Sequence, residues 1–309
     1  MRVVYMGTPD FAVKPLEALI EANYEVVGVF TQPDKPVGRK AILTPPPVKV
    51  VAQNNNIPVY QPDSLKNGVG TSILEELKPD VVIVVAYGKI LPKDFLDYPK
   101  YGCINIHGSI LPEYRGAAPI QRSVLDGKEF AGVTSMQMDV GLDTGDMLLV
   151  EKTKIGENET SGELYEMLNV IGAELLVKTL VALERGELTP EKQDDSQSTY
   201  AAMLDKSMSP VDWNKSAHEI HNQIRGLDPW PVALTTLDGK NLKLFRSSVR
   251  DDLGSGKPGE AIVLKNGLGI FCGDGKAVLI SEVQYEGKKR MNAADFFRGH
   301  PIEKNTILG

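Results

Sequence analysis

Residues 81–86 read Val-Val-Ile-Val-Val-Ala, an unbroken apolar run dominated by β-branched side chains. Such a run has no polar face to give to water, which is how a strand covered on both faces of a parallel sheet reads. Strand and helix signals alternate around it. Toward the amino terminus, residues 2–6 form a short apolar strand that ends in Gly7-Thr8-Pro9-Asp10, a turn with Thr8 as N-cap and Pro9 at the first helical position. Residues 11–22 then carry apolar side chains at helical spacing, and Glu25–Phe30 (Glu-Val-Val-Gly-Val-Phe) is a second strand. Toward the carboxyl terminus, residues 102–107 and 132–138 are further strands. A long helix is predicted over 159–185, apolar at Leu164, Met167, Leu168, Ile171 and Leu175. Repeated strand–helix units predict an α/β fold with a doubly wound, mostly parallel sheet.

The remaining third has a different rhythm. Residues 186–201 turn polar, with Gln193-Asp194-Asp195-Ser196-Gln197-Ser198 at their centre, and read as a linker. Beyond Lys206 one short helix (216–225) is followed by brief alternating segments at 232–236, 242–249, 261–264, 269–272 and 277–284. Turns such as Asp238-Gly239, Asn266-Gly267 and Asp274-Gly275 separate them. Short strands at that spacing predict a small, OB-like β-barrel. A chain of 309 residues accommodates two domains. The expected division is 1–188, a linker at 189–205, and a barrel at 206–309.

Composition narrows the function. The net charge of −7 argues against broad nucleic-acid affinity, but it is unevenly spread. Residues 206–309 hold 15 Lys and Arg against 12 Asp and Glu, a net of +3, whereas residues 1–205 carry −10. An acidic body with a mildly basic tail domain is compatible with a nucleic acid gripped locally. No apolar run approaches the roughly 18 residues of a membrane span. The start, Met1-Arg2-Val3-Val4-Tyr5-Met6-Gly7, is too quickly punctuated for a secretory signal, so a cytoplasmic protein is expected. Cys103 and Cys272 are far apart, form no ligand cluster, and are expected to be buried free thiols. No long apolar stripe demands a partner, and a monomer is expected.

The chemistry concentrates in Gly102-Cys103-Ile104-Asn105-Ile106-His107-Gly108-Ser109-Ile110-Leu111-Pro112. Ile104 and Ile106 alternate with Asn105 and His107, so the amide and the imidazole share one face of a strand. The Gly108–Pro112 stretch ends the strand there, because proline lacks the N–H that a ladder needs. Both side chains therefore sit at a strand's carboxyl end, where open α/β sheets bind ligands. A second polar cluster, Asp139-Val140-Gly141-Leu142-Asp143-Thr144-Gly145-Asp146, is a tight acidic turn without the ligand spacing of a calcium loop. An amide, an imidazole and a carboxylate suit acyl transfer to an amine. Asn105 and His107 could hold the oxyanion, while Asp143 could orient or charge His107 and relay a proton. There is no GxSxG elbow, Cys103 has no assigned base, and Pro9 stands where a dinucleotide fingerprint needs its second glycine. His218 and His221, three apart on a helix without a third ligand, do not make a zinc site.

Asn105 through Pro112, followed by Tyr114-Arg115-Gly116-Ala117-Ala118-Pro119-Ile120-Gln121, resembles the 10-formyltetrahydrofolate-dependent formyltransferases. Further matches are Gly7-Thr8-Pro9-Asp10-Phe11, Thr31-Gln32-Pro33-Asp34-Lys35-Pro36, Ala86-Tyr87-Gly88, Met136 through Asp146, and Asn222 to Pro231. The resemblance spans essentially the whole chain. It implies a Rossmann-like formyltransferase core and transfer of formyl from N10 of 10-formyltetrahydrofolate, with no metal. The barrel domain and the loop at 33–49 imply that the acceptor is the α-amine of methionine on initiator tRNA. Asn105, His107 and Asp143 match the family's catalytic triad. Ser109, Ile110, Leu111 and Pro112 match its folate-binding stretch, Val85, Ala86, Tyr87 and Gly88 the wall of the pterin, and Asp139 and Gly141 further contacts. Arg39, Lys40 and Lys206 would reach tRNA. Ile110 replaces a commoner leucine and keeps the position apolar. Gly38-Arg39-Lys40-Ala41-Ile42 is less basic than the corresponding loop of many relatives. Alternatives are the same folate site serving a sugar amine, a glycinamide nucleotide or water, and a non-enzymatic folate- or RNA-binding module. The appended basic domain speaks against a small acceptor, and the intact polar set against a vestigial site.

Overall fold

The computed structural model describes residues 1–38 and 40–309. The first ten strands are β1 (Arg2–Gly7), β2 (Glu25–Phe30), β3 (Lys35–Val37), β4 (Ile42–Thr44), β5 (Val59–Tyr60), β6 (Val81–Val85), β7 (Cys103–His107), β8 (Arg115–Gly116), β9 (Phe130–Gln137) and β10 (Met147–Lys154). The helices among and after them are α1 (Val13–Glu21), α2 (Pro47–Asn54), α3 (Val69–Leu77), α4 (Lys93–Leu96), α5 (Pro119–Leu125) and α6 (Ser161–Arg185). Seven of the strands form one sheet in the order β10-β9-β7-β6-β1-β2-β5. The pairs β7–β6, β6–β1, β1–β2 and β2–β5 are parallel, and β9 joins β7 antiparallel. All five residues of β6 are buried, as its unbroken apolar run requires.

Chain order places the ligand end of this sheet. From β1 the chain moves outward to β2 and β5, then returns to the other side of β1 to lay down β6 and β7. The direction reverses between β1 and β6, and the crevice at the carboxyl ends of those strands is the switch point where open α/β sheets bind ligands. One face of the sheet, carrying Val4, Met6, Val82, Val84 and Cys103, packs over Leu74 of α3 and Phe95 of α4. Against the opposite face, α6 comes so close at Gly172 that a Cβ there would lie 3.3 Å from Ile106.

The structure corrects several local readings. Thr8 is not an N-cap: its hydroxyl donates to the carbonyl of Tyr87, and Pro9 precedes a short 3-10 turn over Asp10–Ala12. Met167 is 41 % exposed, because the buried stripe of α6 runs through Leu164, Leu168, Leu175 and Leu176 instead. The segment 33–49 contains an antiparallel hairpin, β3 with β4, before α2 begins at Pro47. The polar stretch at 189–205 is not a free linker. Glu191 bridges Met147, Gln193 is buried, and β11 (Tyr200–Ala201) pairs with β8. Gln193 and Thr199 bond backbone groups of other loops through their side chains, while Asp194, Asp195, Ser196 and Gln197 stay exposed.

By packing, the chain forms two compact units. One holds Met1–Gly116, Gly132–Thr153 and Tyr165–Tyr200; the other holds Ala117–Ala131, Lys154–Leu164 and Ala201–Gly309. In the second unit, α7 (Ala217–Gly226) begins with a capping box in which Ser216 and Glu219 each satisfy the other's backbone N–H. Strands β12 (Leu234–Leu237), β13 (Lys240–Arg250), β14 (Ala261–Leu264), β15 (Gly267–Phe271) and β16 (Ala277–Tyr285) form an antiparallel sheet ordered β12-β13-β16-β15-β14. Short β17 (Met291–Asn292) adds to β16, and α8 (Ala293–Gly299) follows. Ile220 and Ile224 of α7, Leu244, Ile270 and Ile280 of the sheet, and Phe296 of α8 share one core. The sheet path is open at β12 and β14, so this is a partly closed, OB-like barrel.

Candidate active site

Strand β7 places Asn105 and His107 as its alternation requires. Asn105 lies between Val84 of β6 and Met136 of β9, and His107 beside Thr134 of β9. Both are buried, at 9 % and 7 % exposure. Beyond the strand the chain folds back at once: the hydroxyl of Ser109 donates to the carbonyl of Glu113 (2.7 Å), and Thr134 Oγ1 donates to the carbonyl of Ser109 (2.7 Å). That return brings the Tyr114 carbonyl to 2.9 Å from His107 Nε2. A carbonyl oxygen can only accept, so Nε2 carries a proton and Nδ1 is the nitrogen left to gain or lose one.

Nδ1 faces Asp143. Its distance to Oδ2 is 3.7 Å, and Asn105 Nδ2 donates to Oδ1 over 3.4 Å. The carboxylate is anchored by the Gly116 N–H, which donates to Oδ2 at 2.8 Å. The structure thus gathers Asn105, His107 and Asp143 around one point, although 36 residues separate the last two. Asp143 has φ +53°, a left-handed conformation that aspartate tolerates better than most residues. The surrounding glycines make the bend possible: a Cβ at Gly145 would lie 1.7 Å from the carbonyl oxygen of Gln137. Asp139 shapes the same loop, its Oδ1 accepting from Gly141 N (2.9 Å) and Thr144 Oγ1 (2.6 Å).

The other predicted positions fall on the same end of the sheet. Val85 and Tyr87 are buried, while Ala86 (φ +47°) and Gly88 (φ +83°) are exposed where the chain leaves β6. Gln32 Nε2 and Thr8 Oγ1 both donate to the Tyr87 carbonyl, tying together the loops after β1, β2 and β6. Among the described residues the buried Tyr87 hydroxyl has no hydrogen-bond partner, and burial pushes its pKa up to about 12. Of the folate-stretch residues, Ser109 and Leu111 are buried and Ile110 and Pro112 partly so. Lys40 and Lys206 are exposed, each in a turn outside this cluster; Arg39 lies outside the described residues.

Two residues that sequence reasoning did not single out belong to the site. Gln193, from the polar stretch read as a linker, donates through Nε2 to the carbonyls of Asp143 (2.9 Å) and Gly145 (2.7 Å). Arg115 donates to Gln193 Oε1 from Nε (3.0 Å) and Nη2 (2.9 Å). A lone glutamine in a polar run gives no signal of such a role.

Elsewhere, His221 is engaged on both nitrogens, by Ser247 Oγ (2.8 Å) and the Glu157 carbonyl (2.9 Å). Burial lowers its pKa, so it is held neutral as part of the barrel's interior. Cys103 and Cys272 are free and buried; desolvation raises both thiols, Cys272 to about 12. Among the described residues no helix is long and apolar enough to cross a membrane.

Residues 1–180 match the family described as formyl transferase, and residues 203–301 match the formyl transferase C-terminal domain. The chain is 51 % identical over 315 residues to a methionyl-tRNA formyltransferase of Lachnospira eligens, with the whole of both chains covered. It is 50 % identical over 310 residues to the methionyl-tRNA formyltransferase of Alkaliphilus metalliredigens, covering all of this chain and 98 % of that one. A crystal structure of an N-formyltransferase from Helicobacter canadensis, in complex with folinic acid and dTDP-3-aminofucose, superposes with a TM-score of 0.71 at 22 % identity. It covers 92 % of this chain and 98 % of that one. Matched in both its sheet domain and its barrel, and along its full length by relatives of about half identity, the chain belongs to the formyl transferase family.

Proposed function

We propose that this protein transfers a formyl group from 10-formyltetrahydrofolate to the α-amine of methionyl initiator tRNA, giving formylmethionyl-tRNA for translation initiation. The observation that carries the reading is the full-length match, barrel included, to relatives named for that reaction. The site geometry supports it independently of the name.

The folate supplies an electrophilic formyl carbon. Attack by an amine puts negative charge on the formyl oxygen and positive charge on the nitrogen, so the site needs a donor for the first and a sink for the proton of the second. In this reading Asn105 Nδ2 and a protonated His107 Nδ1 are the donors. The Tyr114 carbonyl pins Nε2–H and thereby turns Nδ1 toward the reacting group. Asp143, 3.7 Å from Nδ1, stabilises the imidazolium and takes up the amine's proton, directly or through His107; the same proton is returned to N10 as the C–N10 bond breaks and tetrahydrofolate leaves. Val85, Ala86, Tyr87 and Gly88 would wall the pterin at the sheet's switch point, with Asp139 and Gly141 closing the acidic loop over it. Ser109 and Asp139 already use their side chains within their own turns, so their contacts to folate would run through the backbone. Ile110, Leu111 and Pro112 would supply apolar contact.

In the same reading residues 1–188 are the catalytic domain and 206–309 the tRNA-binding domain, with Arg39, Lys40 and Lys206 contacting RNA. The enzyme works in the cytoplasm as a monomer. The test is to incubate purified protein with 10-formyltetrahydrofolate and methionyl initiator tRNA and measure formylmethionine, with an amino-sugar nucleotide and water as competing acceptors. Formylmethionine above both controls is expected; formylation of the sugar alone, or hydrolysis alone, would overturn the assignment.

A further inference from the structure

Asp143 is constrained from two directions by groups that never face the reacting atoms. The Gly116 N–H holds its carboxylate, at 2.8 Å from Oδ2. Its backbone is held by a single nitrogen, Gln193 Nε2, which bridges the carbonyls of residues 143 and 145 at 2.9 and 2.7 Å. Those carbonyls lie at and just after the left-handed bend at Asp143, so the bridge holds the chain as it leaves the turn that aims the carboxylate at His107. Gln193 is 5 % exposed, and its amide is oriented by Arg115, whose Nε and Nη2 both donate to Oε1. Arg115 is in turn fixed by Asp195, 2.7 Å from Nη2. Thr199 completes the clamp by accepting from Arg115 N (2.9 Å) at its carbonyl and from Tyr114 N (2.8 Å) at its hydroxyl. The stretch 193–199 therefore sets both the Tyr114 carbonyl that pins His107 Nε2 and the loop that carries Asp143.

We infer that Gln193 is a positioning residue for formyl transfer, fixing Asp143 against His107 through the backbone of the acidic loop, with Arg115 selecting the orientation of its amide. The inference rests on the function proposed above. Only glutamine meets the demand at this site. Glutamate offers no donor for the two carbonyls, asparagine is one methylene short, and an apolar residue leaves both carbonyls without this donor and Arg115 Nε without its acceptor.

The test uses the full-length enzyme and compares wild type with Gln193→Glu and Gln193→Met, each alone and combined with Asp143→Asn. Gln193→Glu keeps the size of the side chain and its pairing with Arg115, but turns an acceptor toward two carbonyls. A misplacement of about 1 Å at a reacting group costs about 100-fold in rate. The expected result is a fall in kcat of about 10- to 100-fold, with KM for folate and for tRNA within about threefold. Because Gln193 acts through Asp143, adding Gln193→Glu to Asp143→Asn should cost less than about threefold more. Amide exchange of residues 139–146 should accelerate in the Gln193 variants while that of α7 is unchanged. Single variants within about twofold of wild type, or losses that multiply fully in the double variant, would overturn the positioning role alone. An inactive wild type would overturn the functional reading, and with it the role of Gln193 in that reaction; the exchange arm reports on the loop in either case.

Discussion

Replacing Asp143 by asparagine removes the charge beside His107 and, with the amide oxygen kept on the Gly116 N–H, also the acceptor for the long 3.4 Å contact from Asn105 Nδ2. The change keeps side-chain shape, and asparagine tolerates the left-handed φ of +53° at this position as well as aspartate does. It also keeps an oxygen that can accept from the Gly116 N–H, so the loop has no reason to unfold. What disappears is a negative charge 3.7 Å from Nδ1 of an imidazole that is 7 % exposed. At the effective dielectric constant of ~20 that suits protein sites, two unit charges at that separation interact by about 4 kcal/mol. At about 1.4 kcal/mol per factor of ten, this bounds the rate loss near three powers of ten. Solvent reaching the partly exposed carboxylate lowers the figure, so kcat is expected to fall by about 100- to 1000-fold while KM for both substrates changes little. The assay is steady-state formation of formylmethionyl-tRNA under saturating folate, paired with a thermal unfolding midpoint to show that the variant is folded. A folded Asp143→Asn enzyme with kcat within tenfold of wild type would refute the coupling between these two side chains.

Other expectations concern stability and reactivity. Burial holds the pKa of His221 below its ordinary value of 6.5, so the unfolded chain takes up a proton near pH 6.5 that the folded chain refuses. Its contribution to stability is complete above that pH and declines as pH falls, by at most about 1.4 kcal/mol per unit. Denaturant titrations of His221→Gln against wild type should therefore show the wild type's advantage shrinking below pH 6.5, and a constant difference from pH 5 to 8 would contradict this. Cys103 and Cys272 should both resist a thiol reagent in the native enzyme at pH 8 and both react once it is unfolded, because burial raises each thiol. Labelling of either in the folded state would count against the packing described. Ser216→Ala removes the capping box of α7 and should cost about 1 kcal/mol in urea unfolding, with formylation unchanged; no measurable loss would mean the cap contributes nothing.

The sequence made the sheet legible because its signals are local. A short unbroken β-branched run reads as a doubly covered strand, and β6 is one. The alternation at 104–107 puts Asn105 and His107 on one face whatever lies around them. Other features depend on distant partners. Thr8 has the composition of a helix cap, yet the Tyr87 carbonyl is a better partner for its hydroxyl than a backbone N–H in a turn led by Pro9. Met167 has helical spacing with Leu164 and Ile171, but the buried stripe of α6 runs through Leu164, Leu168 and Leu175, which leaves Met167 41 % exposed. The acidic turn offers Asp139, Asp143 and Asp146; the family resemblance singles out Asp143, and the fold turns that carboxylate to 3.7 Å from Nδ1 of the imidazole.

Gln193 marks where such reading ends, and the reason is general. A stretch rich in Gln, Asp and Ser reads as solvated because those side chains usually find water. Here Gln193 instead turns inward to two carbonyls of the acidic loop and the Thr199 hydroxyl accepts from Tyr114 N, while exposed Asp195 pairs with the Arg115 guanidinium. A loop bent through left-handed residues exposes its carbonyls on the inside of the bend, where no ladder can satisfy them. Something polar must therefore come from elsewhere in the chain, and a segment without its own secondary structure is free to supply it. The amide of Gln193 is the complement of a left-handed turn 50 positions earlier, which is why neither stretch could be interpreted alone.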